Sequence, residues 1–219
     1  MGRMRVTDTV AEQARKGWDR RDFLGGAALL AMALGIPAAA VKLSRLDPHE
    51  APTARQLQVL REVSQLVIPS TDTPGAGDVG VAEFVALALA HGLEGSRARV
   101  DASQNPGLAA FRRSDHSLDH AGWLQHELNR RGGADFLTLD QPARAATLAA
   151  LDAEAFAEGV REHPWRRIKG LILTGYYTSE VGGSQELRFE LVPGRWDPDL
   201  PLAPGSRAWS SDWTAVDFG

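Results

Sequence analysis

The chain has 219 residues, 43% hydrophobic and 24% charged, the balance of a globular protein with enough length to bury its own core. Its formal charge is −4, and setting aside residues 1–40, where Lys and Arg outnumber Asp and Glu, leaves the rest more acidic still. That argues against a nucleic-acid partner, which asks first for a basic face. Cysteine is absent, which excludes disulfides, thiolate metal sites, iron–sulfur clusters and covalently attached haem c on this chain.

Residues 1–41 read as an address. A polar leader ends at Trp18, and Asp19-Arg20-Arg21-Asp22-Phe23-Leu24 introduces an uncharged run from Gly25 to Val41 rich in Ala, Leu and Gly. Paired arginines, Phe-Leu and a small-residue apolar run form the twin-arginine pattern, carried here by Arg20, Arg21, Phe23 and Leu24. The run has 17 residues, short of the roughly 20 that a spanning helix needs. Ala38-Ala39-Ala40 offers a cleavage site, although the run would also serve as an uncleaved anchor. The twin-arginine route moves folded proteins, so a partner lacking a signal can travel on this one.

The next segment, Ala54 to Ile68, spaces Leu57, Leu60, Val63, Leu66 and Val67 as a helix, with Thr53 and Gln56 as a capping box and Pro69 as its stop. Ser70 to Asp78 is composed of turn formers. A second helix runs from Val81 to about His91 and is apolar on most faces, so it is expected to be buried. A third is expected from Leu108 to Arg131, with Phe111, Leu118, Leu124 and Leu128 inward and Gly132-Gly133 as the stop. A fourth starts near Asp140-Gln141-Pro142 and continues through Leu148, Leu151 and Phe156 to about Glu158. His163-Pro164 opens the last, which carries Trp165, Ile168, Leu171, Ile172 and Tyr176.

Beyond Tyr177 the pattern changes. Glu186 to Val192 alternates polar and apolar residues, as one short strand or an extended arm does. The tail after Pro193-Gly194 is rich in Pro and Asp and holds Trp196, Trp209 and Trp213, three of the six tryptophans. Tryptophans on such an arm pack either on this chain's own helices or on a partner, where Trp is a favoured anchor.

The chemistry-bearing motifs are few. Gly75 to Gly80 spells G-x-G-x-x-G before a helix, but no strand leads into it, Pro69 and Pro74 interrupt the approach, and no βαβ alternation follows. A loop needing positive φ accounts for it better than a nucleotide site. His116 and His120 stand four apart on the expected third helix and would present two imidazoles on one face, without an H-E-x-x-H motif or an evident third ligand. Asp152, Glu154 and Glu158 are ordinary carboxylates along one helix. No G-x-S-x-G, P-loop or kinase signature is present.

Three blocks carry a resemblance. Lys169-Gly170-Leu171-Ile172-Leu173-Thr174-Gly175-Tyr176-Tyr177-Thr178-Ser179-Glu180 continues into Gly182-Gly183-Ser184-Gln185-Glu186-Leu187. Leu191-Val192-Pro193-Gly194-Arg195-Trp196-Asp197-Pro198 follows, and Ile68 to Ala76 supplies the third block. Over about Ala54 to Trp196 the chain resembles the gluconate 2-dehydrogenase subunit 3 family, the small subunit of membrane-associated sugar and sugar-acid dehydrogenases. The resemblance implies that catalysis belongs to a separate flavoprotein of the glucose–methanol–choline type, which holds FAD and passes electrons to a haem c subunit or another acceptor. It implies a non-catalytic role for the small chain in maturation and export of that flavoprotein.

The expectation is a mainly α protein with three parts: a signal at 1–41, a helical domain at 42–180, and an extended Pro- and Trp-rich arm at 181–219 with at most one short β element. It is expected in the periplasm, reached by the twin-arginine route, with membrane contact only through the signal or the complex. The chain itself is expected to hold no cofactor, with FAD on the flavoprotein and haem c on a multihaem cytochrome where one is present. Tyr176, Tyr177, Glu186, Arg188, Arg195 and Trp196 are the expected partner-contact or arm-anchoring residues. Two rival readings stand beside it: an exported metal-dependent enzyme using His116 and His120, and an adaptor for some other exported protein.

Overall fold

The computed structural model describes residues 51–101, 103, 105–189, 201 and 203–210. Five α-helices dominate: α1 (Ala54–Val67), α2 (Val81–His91), α3 (His120–Gly132), α4 (Gln141–Ala155) and α5 (Pro164–Tyr177). Three short 3₁₀ turns, Leu93–Gly95, Pro106–Phe111 and Phe136–Thr138, lie between them, and a π turn, Gly182–Glu186, follows α5. The β structure is one parallel pairing of two-residue strands, β1 (Arg188–Phe189) with β2 (Trp209–Ser210). Among the described residues, no helix is long and apolar enough to cross a membrane.

Helix α2 is the centre of the domain. Nine of its residues, Val81, Ala82 and Phe84 through Ala90, are buried, and it packs against α1 on one side and α5 on the other. Its ends are set by Gly80 and Gly92, both in the left-handed region with φ of 80° and 85°. Helix α5 can lie close to α2 because residue 175 is glycine: a Cβ there would stand 2.6 Å from the Phe84 ring. The inner face of α5 is Trp165, Ile168, Leu171, Ile172 and Tyr176, all fully buried or nearly so. Each such side chain withdrawn from water contributes about 1.5–3 kcal/mol, and together with α1, α3 and α4 they form one continuous core.

The local signals that start helices act as the sequence suggests. Thr53 accepts from the Gln56 amide at 3.1 Å while the Gln56 side chain accepts from the Thr53 amide at 2.8 Å. Asp140 caps α4 through the Ala143 amide, with Pro142 in the first turn, and His163 Nδ1 caps α5 through the Trp165 amide.

Three expectations are corrected. The first concerns Leu108 to Arg131, which is not one helix. Pro106–Phe111 is a 3₁₀ turn, residues 112–118 double back through a tight turn at 114–116 that is closed by the antiparallel bridge Arg112↔Leu118, with Ser117 also bridged to Arg99, and α3 starts only at His120. The cause is competition for backbone amides: Asp115 accepts from the Ser117 amide and hydroxyl at 2.9 and 2.6 Å, and Asp119 takes the Gly122 amide as the N-cap of α3. His116 is forced into the left-handed region, φ 69°. Leu118, Leu124 and Leu128 are nevertheless buried as expected, and Phe111 is half-buried against the His126 ring.

The second correction is the end of α4, which stops at Ala155 rather than near Glu158, and Phe156 turns outward with 48% of its surface exposed. The third is the strand expected from Glu186. Glu186 belongs to the π turn, the strand is Arg188–Phe189, and residues 190–192 lie outside the described residues.

Candidate functional site

Two of the expected site residues, Tyr176 and Glu186, meet at a seam between the loop after α1 and the end of α5. The loop is held by its own polar side chains. Gln65 of α1 accepts from the Gly77 amide at 2.9 Å and donates to Ser70 Oγ at 2.8 Å. Ser70 Oγ accepts from the Gly75 amide at 3.0 Å and donates to Asp78 at 2.9 Å. A Cβ at Gly75 or Gly77 would fall within 3 Å of the Gln65 side chain, so the glycines at these positions let the loop close over Gln65. The G-x-G-x-x-G spelling is thereby explained by packing and, at Gly80, by positive φ.

Tyr176 reaches across this seam from the last turn of α5. Its hydroxyl donates to the Pro74 carbonyl at 3.0 Å, and its ring is 1% exposed. The chain then turns through Gly182–Glu186, where a Cβ at Gly182 would overlap the Tyr176 carbonyl. The turn delivers Glu186 to the same loop, and Thr73 Oγ1 donates to its carboxylate at 2.5 Å. Arg188, the first residue of β1, lies with its guanidinium 5.8 Å from the Trp209 ring centre. Arg207, just before β2, bonds Asp72 at 2.7 Å and, as the main cause, holds its carboxyl below the usual carboxylate range. Loop, helix end and arm are thus tied by Tyr176–Pro74, Thr73–Glu186 and Asp72–Arg207.

Four of the six partner-contact or anchoring residues fall within the described residues. Tyr176 and Glu186 face this chain's own loop and Arg188 faces Trp209, whereas Tyr177 is 41% exposed, its ring edge-on to Tyr176 at 5.3 Å. Arg195 and Trp196 lie outside the described residues, as do Arg20, Arg21, Phe23 and Leu24. The loop partners Asp72 and Thr73 and the arm residue Arg207 were not singled out from sequence. The only local hint was the polar density of Ser70 to Asp78.

The two-histidine metal reading rested on a shared helix face, and the break before α3 removes it. His116 sits in the turn, while His120 is 1% exposed at the start of α3. Both His120 ring nitrogens are engaged, Nδ1 at 3.1 Å from the Leu118 carbonyl and Nε2 at 3.4 Å from Arg167 Nη1. Burial first, and the Arg167 charge second, pull its pKa down to about 4, so the ring is neutral at physiological pH. Nδ1 then donates to Leu118 and Nε2 accepts from Arg167. Among the described residues, no group of three His, Asp or Glu is placed to hold a metal ion.

No curated protein and no solved structure matches the chain. A family model does: the one described as gluconate 2-dehydrogenase subunit 3 matches residues 54–194, from the first residue of α1 through the π turn and into the arm. The matched region contains all five α-helices and both partners of the Tyr176–Pro74 and Thr73–Glu186 ties. The chain belongs to the gluconate 2-dehydrogenase subunit 3 family.

Proposed function

We propose that this chain is the non-catalytic small subunit of a periplasmic, FAD-dependent dehydrogenase of the glucose–methanol–choline type. It assists maturation of the flavoprotein subunit and, through Arg20 and Arg21, takes it across the inner membrane already folded. FAD and substrate belong to the flavoprotein, and haem c to a cytochrome subunit where the complex has one.

The family match over residues 54–194 is the observation that carries this reading. Two features of the chain support it. The twin-arginine pattern serves a folded cargo. The polar side chains at the seam are engaged within the chain, Tyr176 with the Pro74 carbonyl, Thr73 with Glu186 and Arg207 with Asp72, as suits a surface that must keep its shape for a protein partner.

Co-expression of the tagged full-length chain with a flavoprotein of the glucose–methanol–choline type from the same genome tests the reading. The expected result is one complex that elutes with bound FAD and sugar- or alcohol-oxidising activity. A tagged chain that elutes free of the flavoprotein, while active flavoprotein accumulates without it, contradicts the assignment.

A further inference from the structure

The first turn of α5 rests on an imidazole. Pro164, the first residue of the helix, has no amide hydrogen, and the Arg166 amide bonds the His163 carbonyl at 3.0 Å. That leaves the amide of Trp165, a fully buried residue, and its acceptor is His163 Nδ1 at 3.2 Å. A backbone N–H only donates, so Nδ1 presents its lone pair and the proton of the neutral ring sits on Nε2. The usual capping side chains accept through oxygen and keep doing so throughout the neutral range. An imidazole accepts only while it is uncharged.

The surroundings of the ring disfavour charge. His163 is half-buried and stands edge-on to Trp123 of α3, with ring centres 5.6 Å apart. The charged groups that reach it are Glu154 of α4, Arg131 and Glu127 of α3, and Arg166 of α5 itself. Arg131 bonds both Glu127 and Glu154, and Arg166 is fixed on the Ala155 carbonyl at 2.6 Å, so both carboxylates are already paired with an arginine. The positive end of the α5 dipole also opposes a cation at this position. Burial is the main cause that holds the His163 pKa below 6.5; Glu154 and Glu127 oppose it, while Arg131 and Arg166 reinforce it.

We infer that His163 is an acid-sensitive switch at the head of α5: the neutral ring closes the first turn, and the protonated ring releases the Trp165 amide. Protonation sets Nδ1–H against the Trp165 N–H, donor facing donor, so the ring turns away and the connection from α4 moves with it. Residues 156–162 of that connection are mostly exposed and yield readily. The change stays local, because the Trp165 indole is still held by Asp152 at 2.7 Å. With a folded pKa below the unfolded 6.5, the cap's contribution is complete above pH 6.5 and is lost as pH falls through the folded value. The switch concerns the helix that carries the Lys169–Glu180 block, and it goes beyond the proposed function without depending on it.

The test is NMR spectroscopy of the full-length wild type, His163→Asn and His163→Ala. In wild type at neutral pH, the ring nitrogen shifts are expected to show Nδ1 unprotonated, and the ring to titrate below 6.5. Amide-exchange protection at Trp165 is measured relative to the amides of α2, a ratio in which a loss of stability of the whole fold, such as His120 produces, cancels. That ratio is expected to fall about fivefold when His163 is protonated. His163→Asn keeps an acceptor that does not titrate and is expected to hold the ratio constant, whereas His163→Ala should show the low ratio already at neutral pH. A proton on Nδ1 at neutral pH overturns the inference. So does a wild-type ratio that stays constant through the titration of the ring, or an acid loss that His163→Asn reproduces.

Discussion

The Tyr176 hydroxyl stands 3.0 Å from the Pro74 carbonyl, joining residues 102 positions apart. The bond closes the loop after α1 onto the end of α5, two of the three segments whose sequence carried the family resemblance. Tyr176→Phe keeps the buried ring and removes only the donor. It is expected to cost about 1 kcal/mol in urea unfolding, with faster amide exchange at Thr73 to Gly77 and little change in the core helices.

Asp152 serves two donors of α5 through one oxygen, the Trp165 indole and the Lys169 ammonium, each at 2.7 Å. Burial raises its pKa, but the Lys169 and Trp165 bonds outweigh that and leave it below the usual carboxylate range. Asp152→Ala strands the indole N–H of a fully buried tryptophan and is expected to cost about 1–3 kcal/mol. Asp152→Asn keeps an acceptor and should cost less. Chemical denaturation of both variants measures the difference.

His120 makes stability depend on pH. Its folded pKa of about 4 lies below the unfolded value of 6.5, so between those values the unfolded chain binds more protons and stability rises with pH. As pH falls from 6.5 to 4 the fold is expected to lose about 3 kcal/mol through this group, roughly 2 kcal/mol of it by pH 5. His120→Gln should flatten the stability profile between pH 5 and 6.5 relative to wild type. Parallel profiles for the two proteins would refute a buried neutral imidazole.

The close crossing of α2 and α5 depends on Gly175. Gly175→Val forces a branched side chain into the Phe84 ring and is expected to cost about 1–3 kcal/mol or more. Gly170→Ala, five residues earlier on the opposite face, should be neutral or stabilising in the same thermal unfolding series.

Local rules made much of this fold legible. Helix α2 was read to the residue because its apolar run is bounded by signals that act within a few positions, and α1 announced itself through Thr53 and Gln56. The region from Arg112 to Asp119 was not legible, because Asp115 and Asp119 hold backbone amides that helical spacing alone assigns to a helix. Phe156 was read as part of the fourth helix, but α4 ends one residue before it, with the Phe156 amide still bonded to the Asp152 carbonyl. At the site, Tyr176, Glu186 and Arg188 could be named from sequence, but their partners could not. Thr73 meets Glu186 across 113 residues and Asp72 meets Arg207 across 135, and such pairings are set only by packing.

The central claim, that this chain carries a folded flavoprotein out of the cytoplasm, is tested most directly by moving the signal rather than the interface. The full-length chain and the flavoprotein that co-purifies with it are co-expressed, with Arg20 and Arg21 intact or replaced as Arg20→Lys with Arg21→Lys, and FAD-linked dehydrogenase activity is scored in periplasmic and cytoplasmic fractions. The account predicts periplasmic activity with the arginine pair and cytoplasmic retention of the same activity without it. Equal periplasmic activity in both cases would contradict the carrier role.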